Sequence, residues 1–224
     1  MGGGKVRDDS VIMIAKVWGE AHFRERARRV EIIEIPLCKN TDNIHELAGV
    51  IDNAMSRYPN ATLVLDANGA GTGLGQHLVS LGISYVAINW GGQCWNRQNQ
   101  KIYANKRSQA ITCMSRAIAE GRLTIKDKRF RKKLQEQMTR LPYTFDDRTR
   151  WWVMPKEQMK SKKGLKSPDM ADAIAFLFLD GIHYVAANDE EFIPLSGDST
   201  STNGEPSLLD ELEQLEQAAT QTAA

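Results

Sequence analysis

The chain has little of what several protein classes require. Its three cysteines, Cys38, Cys94 and Cys113, are scattered through 224 residues. Their spacing matches neither a zinc motif nor a disulfide framework, which points to a reducing compartment. No apolar run approaches the roughly 20 residues of a membrane span. Met1-Gly2-Gly3-Gly4-Lys5 is not followed by the apolar stretch of a signal peptide. The four histidines, His22, His45, His77 and His183, lack ligand-like spacing. A GxxxxGK[ST] phosphate loop is absent, so the sequence shows no ATPase motor motif. Glycines at 69, 71, 73 and 75 put Leu74 where a dinucleotide fingerprint needs its last glycine.

Bases are missing from one end. Lys166 is the last Lys or Arg, so residues 1–166 carry all 29 bases against 16 acids, a net +13. Residues 167–224 carry 12 acids and no base. A basic body followed by an acidic end fits a polyanionic partner. A merely solvated surface is the plainer alternative.

What is present reads as alternating strands and helices. Ser10–Trp18 and Arg28–Ile35 are expected strands, the second ended by Pro36, and the short polar link predicts an antiparallel pair. Asn43–Tyr58 has a helical stripe of Ile44, Leu47, Ala48, Ile51 and Met55. Thr62–Asp66 is a short buried strand ending in an acid, followed by a glycine-rich loop and a helix from Gln76 to Leu81. Strands at Ser84–Asn89, Leu123–Ile125 and Trp151–Met154 alternate with helices at Asn105–Glu120, Lys126–Leu141 and Ser167–Tyr184. Trp90–Gln100 reads as a loop. The fold class is α/β, with helices flanking a mixed sheet. We expect one domain over 1–187 and an acidic, largely disordered tail over 188–224, with a short amphipathic piece at Leu208–Leu215.

Two places carry candidate chemistry. Ser167-Pro168-Asp169-Met170-Ala171-Asp172-Ala173 opens an apolar helix with two acids three residues apart, hence on one face. Ser167 is the expected cap and Pro168 the first-turn proline. Acids at a helix start complement its dipole, and they also suit a divalent cation held by oxygen. Asp66, at the end of its strand, lies at the rim where α/β folds place ligands. A turn cap and a metal carboxylate are the two readings of Asp66. Together Asp66, Asp169 and Asp172 would form a carboxylate cluster for one or two Mg²⁺ ions acting in phosphodiester hydrolysis. Such close acids repel one another, so the cluster is expected to need a cation. Lys126, Lys128, Arg129, Arg131, Lys132 and Lys133 form one basic run, a solvated face or a phosphate contact. Lys156, Lys160, Lys162, Lys163 and Lys166 form a second, leading into the acidic helix start and placed to meet DNA phosphates. Asn105-Lys106-Arg107 opens a helix, with orientation of a loop, phosphate contact or ordinary end polarity as the readings.

Val64-Leu65-Asp66-Ala67-Asn68-Gly69-Ala70-Gly71, Asn105-Lys106-Arg107, Lys156 to Lys160, and Ser167-Pro168-Asp169 with Asp172-Ala173, in that order, resemble the nuclease domain of the large terminase subunit of tailed bacteriophages. The resemblance covers roughly residues 2–185. It implies a ribonuclease-H-like fold and an endonuclease that cuts concatemeric viral DNA during packaging, with Mg²⁺ or Mn²⁺ as cofactor and two ions expected. It implies Asp66, Asp169 and Asp172 as catalytic, metal-binding acids, and double-stranded DNA as substrate. The implied partners are a terminase ATPase domain, the small terminase subunit and the portal ring. The implied location is the host bacterial cytoplasm, transiently at the procapsid portal. One departure stands out. Gly2-Gly3-Gly4 resembles the glycine-rich hairpin after the family's first central strand, and Asp9-Ser10-Val11 resembles the segment to which that hairpin leads. The central strand and its acid are therefore expected just upstream of Met1. Asp8 and Asp9 are not expected to replace that acid. On this expectation the Ser10 and Asp66 strands would each expose an unpaired edge, and the chain alone would be weakly active or inactive. A non-catalytic DNA-binding or motor-docking fragment and a resolvase-like nuclease are the rival readings.

Overall fold

The structure, a computed structural model, describes residues 8–19, 28–68 and 70–184. The expected glycine hairpin at 2–4 and the acidic tail, with its piece at 208–215, lie outside the described residues. In chain order the elements are β1 (Ser10–Trp18), β2 (Arg29–Lys39), α1 (Ile44–Arg57), β3 (Val64–Asp66), α2 (Ala70–Ser80), β4 (Val86–Ile88), α3 (Arg97–Ile102) and α4 (Lys106–Ala119). Then come β5 (Leu123–Ile125), a 3₁₀ turn over Lys128–Phe130, α5 (Arg131–Thr139), β6 (Tyr143–Phe145), β7 (Trp151–Val153), α6 (Lys156–Lys163) and α7 (Asp169–Ala175), which runs into a 3₁₀ turn at Phe176–Phe178.

β1 and β2 pair antiparallel, and β5 adds to β2 in parallel. β3 and β4 pair in parallel, and β6 and β7 form an antiparallel hairpin. Side chains alternate between two apolar layers, as the period of two in a strand requires. Val11, Met13, Val30, Ile32 and Val64 pack into a core with Ala110, Met114, Met170 and Ile174 of α4 and α7. Ile12, Leu37, Leu63 and Leu65 face the opposite layer with Leu47, Ile51, Leu74 and Leu78 of α1 and α2. Helices therefore cover both faces of the strands.

Three expectations are corrected. Pro36 lies within β2 instead of ending it. Ile12 pairs with Leu37 and Ile14 with Glu34, so β2 carries an extra residue across Ile35 and Pro36. A bulge of this kind removes the need for a proline N–H. α2 starts at Ala70, with Gly71, Gly73 and Gly75 inside the helix and not in a loop. A Cβ at Gly71 would lie 1.7 Å from the Asp66 carbonyl oxygen, and one at Gly75 would lie 2.2 Å from the Tyr85 hydroxyl. The glycines thus let α2 start hard against the end of β3. α7 is much shorter than the expected 167–184. The buried Arg28 guanidinium binds the carbonyls of Leu177, Leu179 and Ile182 at 3.0–3.2 Å, and Gly181 turns at φ +88° against Trp95. Both features divert the chain from helix. β6, α3 and α6 were not expected from the sequence.

Among the described strands β1 pairs only with β2, and β3 only with β4. Ser10–Met13 and Thr62–Asp66 line one cavity of about 850 Å³. No helix among the described residues is long and apolar enough to cross a membrane.

Candidate active site

Each acid is positioned by the end of an element. Asp66 is the last residue of β3, and its Oδ1 accepts from the Asn68 N–H at 3.1 Å. Asp169 and Asp172 occupy the first turn of α7. Pro168 holds the cap position, and the expected Ser167 cap is replaced by a different bond. Ser167 Oγ donates to Asp169 Oδ1 at 2.5 Å. Asp66, Asp169, Asp172 and Lys156 all line the cavity.

Lys156, the first residue of α6, stands 3.2 Å from Asp169 Oδ1 and 3.1 Å from Asp172 Oδ2. Arg107 Nε donates to Asp172 Oδ1 at 2.9 Å. The protein therefore supplies two cations to its own three carboxylates. The expectation that the acids need a bound metal to coexist is corrected on this point. Burial works against the charge of Lys156, but the Asp172 and Asp169 carboxylates outweigh it and hold its pKa above the usual lysine value. Burial pushes the Asp66 carboxyl upward; the Asn68 N–H and the Lys156 charge oppose that shift, and Asp172 adds to it.

The two α7 acids differ in how their oxygens are used. Asp169 accepts from Lys156 and Ser167 at Oδ1 and from the Asp9 N–H at Oδ2, 2.9 Å away. Asp172 is 3% exposed, and its Oδ2 is buried without an aligned hydrogen bond. Among the described residues no three His, Cys, Asp or Glu side chains form a ready-made metal cage. Asp8 and Asp9 also line the cavity, but their carboxylates pair with Lys160 and Lys133.

The expected DNA-contacting residues divide. Lys160, Lys162, Lys163 and Lys166 are exposed on and just after α6. Arg107 is 6% exposed and turned inward. Lys106 is also inward, its ammonium 3.9 Å from the Trp95 ring centroid, and burial lowers its pKa. Neither side chain presents a free cation to solvent, so their placement differs from the phosphate contact expected of them. In the basic run before α5, Lys126 pairs with Glu31 and Arg129 with Asp127. The places of Lys156 and Arg107 inside the carboxylate cluster were missed by sequence reasoning. One signal was present: a lysine opening a helix opposes the dipole and calls for a nearby acid.

No family model matches the chain. A probable terminase large subunit of Enterobacteria phage P7 is 30% identical over 181 residues, covering 79% of this chain and 35% of that protein. The chain thus spans about a third of that relative. A lysine-to-alanine variant of the nuclease domain of the large terminase subunit of bacterial virus Sf6, solved with manganese, superposes with a TM-score of 0.57 at 17% identity, covering 79% of this chain and 90% of that one. The same nuclease domain without the substitution gives a TM-score of 0.57 at 16% identity, covering 77% and 89%. In sequence this chain is similar to a phage large terminase subunit, and in its mixed α/β fold to the nuclease domain of another.

Proposed function

We propose that this chain is a divalent-metal-dependent endodeoxyribonuclease domain that cuts concatemeric viral DNA during genome packaging. One observation carries the reading. Asp66 from β3 and Asp172 from α7 line a single cavity together with Lys156, which stands 3.1 Å from Asp172. The manganese in the similar Sf6 domain and the terminase name of the P7 relative support it.

The donor set fits a hydrated hard cation. Mg²⁺ keeps several waters and is commonly bound through one or two carboxylates, so a three-donor cage is not required. Asp66 has one oxygen engaged by Asn68, and Asp172 keeps Oδ2 outside any aligned hydrogen bond. These two residues would hold a Mg²⁺ or Mn²⁺ ion, with Asp169 beside them. A second ion would call for a further carboxylate ligand. A bound ion would supply a nucleophilic water near neutral pH and would offset charge on the phosphate. Lys156 adds a cation at the same point. Lys160, Lys162, Lys163 and Lys166, exposed on and just after α6, would neutralise phosphates of double-stranded DNA. The terminase ATPase domain, the small subunit and the portal ring are the proposed partners, in the host cytoplasm and at the procapsid portal.

A second reading has its own support. The cluster is already balanced by Lys156 and Arg107, and no three-donor cage is present among the described residues. On that reading the domain binds DNA or docks to the motor without cutting. Nicking of supercoiled plasmid in Mn²⁺ separates the two. We expect at most weak nicking by the parent chain and none by Asp66→Ala with an unchanged circular-dichroism spectrum. Equal nicking by both would remove the assignment, and DNA binding with no cleavage by the parent would favour the second reading.

A further inference from the structure

Arg107 sits where three separate segments meet. Its main-chain N–H donates to the Trp90 carbonyl at 3.2 Å, just after β4. Its Nη1 donates to the Met154 carbonyl at 2.8 Å, and its Nε donates to Asp172 Oδ1 at 2.9 Å. Met154 lies two residues ahead of Lys156, at the exit of β7. One planar guanidinium therefore grips both the α7 acid and the backbone that launches Lys156. With Oδ1 engaged by Arg107, Oδ2 is the oxygen of Asp172 left to Lys156.

We infer that Arg107 is a positioning residue. It fixes which oxygen of Asp172 is presented to the metal side and where Lys156 begins, and it does not contact DNA. The inference rests on the metal-dependent reading above. Its chemistry is specific to arginine. A rigid fork directs two N–H bonds at fixed angles, whereas a lysine ammonium on a flexible stem keeps the charge and loses that geometry. Partners that orient a metal carboxylate commonly change metal affinity about 10–100-fold when altered.

The test uses the full 224-residue chain and two variants, Arg107→Lys and Arg107→Gln. The first retains the charge beside buried Asp172. The second is neutral and still donates a hydrogen bond, and it stands in if the first does not fold by circular dichroism. Mn²⁺ affinity is measured by titration calorimetry without DNA, and duplex binding is measured against salt without metal. We expect at least about a tenfold loss of Mn²⁺ affinity, with an unchanged salt slope for duplex binding. A variant with parental Mn²⁺ affinity overturns the inference while leaving the nuclease reading intact. A salt slope reduced by about 0.9 identifies a phosphate contact instead and also overturns it. Absence of Mn²⁺ binding by the parent removes both.

Discussion

The ammonium of Lys156 lies 3.1 Å from Asp172 Oδ2, in ion-pair contact though outside hydrogen-bonding alignment. Replacing it with Lys156→Met leaves Asp172 to Arg107 alone and leaves Asp169 to Ser167 and Asp9. The metal-free variant is expected to lose about 1–3 kcal/mol of stability. Mn²⁺ should return more of that loss to the variant than it adds to the parent, because the ion replaces a missing charge. Thermal melts with and without Mn²⁺ check this, and equal Mn²⁺ shifts would refute it.

Asp66 gives a pH dependence of defined sign. Burial raises its folded pKa above the unfolded value. Between the two values the folded state binds more protons, so this group's contribution to stability falls as pH rises through that window. Asp66→Asn removes the cost of the buried charge. Without metal it should melt above the parent at neutral pH, with the gap closing as pH falls below the ordinary carboxylate value of about 3.9. Saturating Mn²⁺ should reverse the order. Calorimetry across pH is the measurement.

Gly71 and Gly49 make a matched pair. A Cβ at Gly71 meets the Asp66 carbonyl at 1.7 Å, whereas one at Gly49, within α1, meets nothing within 4 Å. Gly71→Ala should destabilise by roughly 2 kcal/mol or more, because backbone must shift, and should displace Asp66. Gly49→Ala should stabilise by about 0.5–1 kcal/mol. Urea denaturation of both variants gives the comparison.

Lys162, Lys163 and Lys166 are exposed, whereas Lys106 packs on Trp95. Each exposed lysine that meets a phosphate should reduce the salt slope of duplex binding by about 0.9 when changed to Ala. Lys106→Ala should leave the slope unchanged and lower stability. Fluorescence anisotropy on a duplex measures the slopes. The same assay with a four-way junction tests the resolvase-like rival, which requires a preference for the junction.

Much of the fold is written in local patterns. β1 needs only a β-branched run, and α1 announces itself by a stripe and by Asn43, whose side chain accepts from His45 and Glu46. The acids were legible because element ends place ligands at rims. The glycines of α2 misled, since their reason is the Asp66 carbonyl, a contact across the turn that composition does not show. Arg107 misled similarly. A basic residue at a helix start reads as surface until its tertiary partner, Asp172, is known. α7 stops early because of Arg28, 149 residues from Leu177, a cause invisible to any window along the sequence.

That Arg28 contact also bears on how the molecule assembles. It joins the start of β2 to the turns after α7, across nearly the whole described chain. Closing so large a loop carries an entropy cost that local helices do not face. The turns beyond Asp172 thus lock into place only when distant ends of the domain have met. A ribosome-bound or partly folded chain would hold the acids without their arrangement, so the proposed cleavage would require the finished fold.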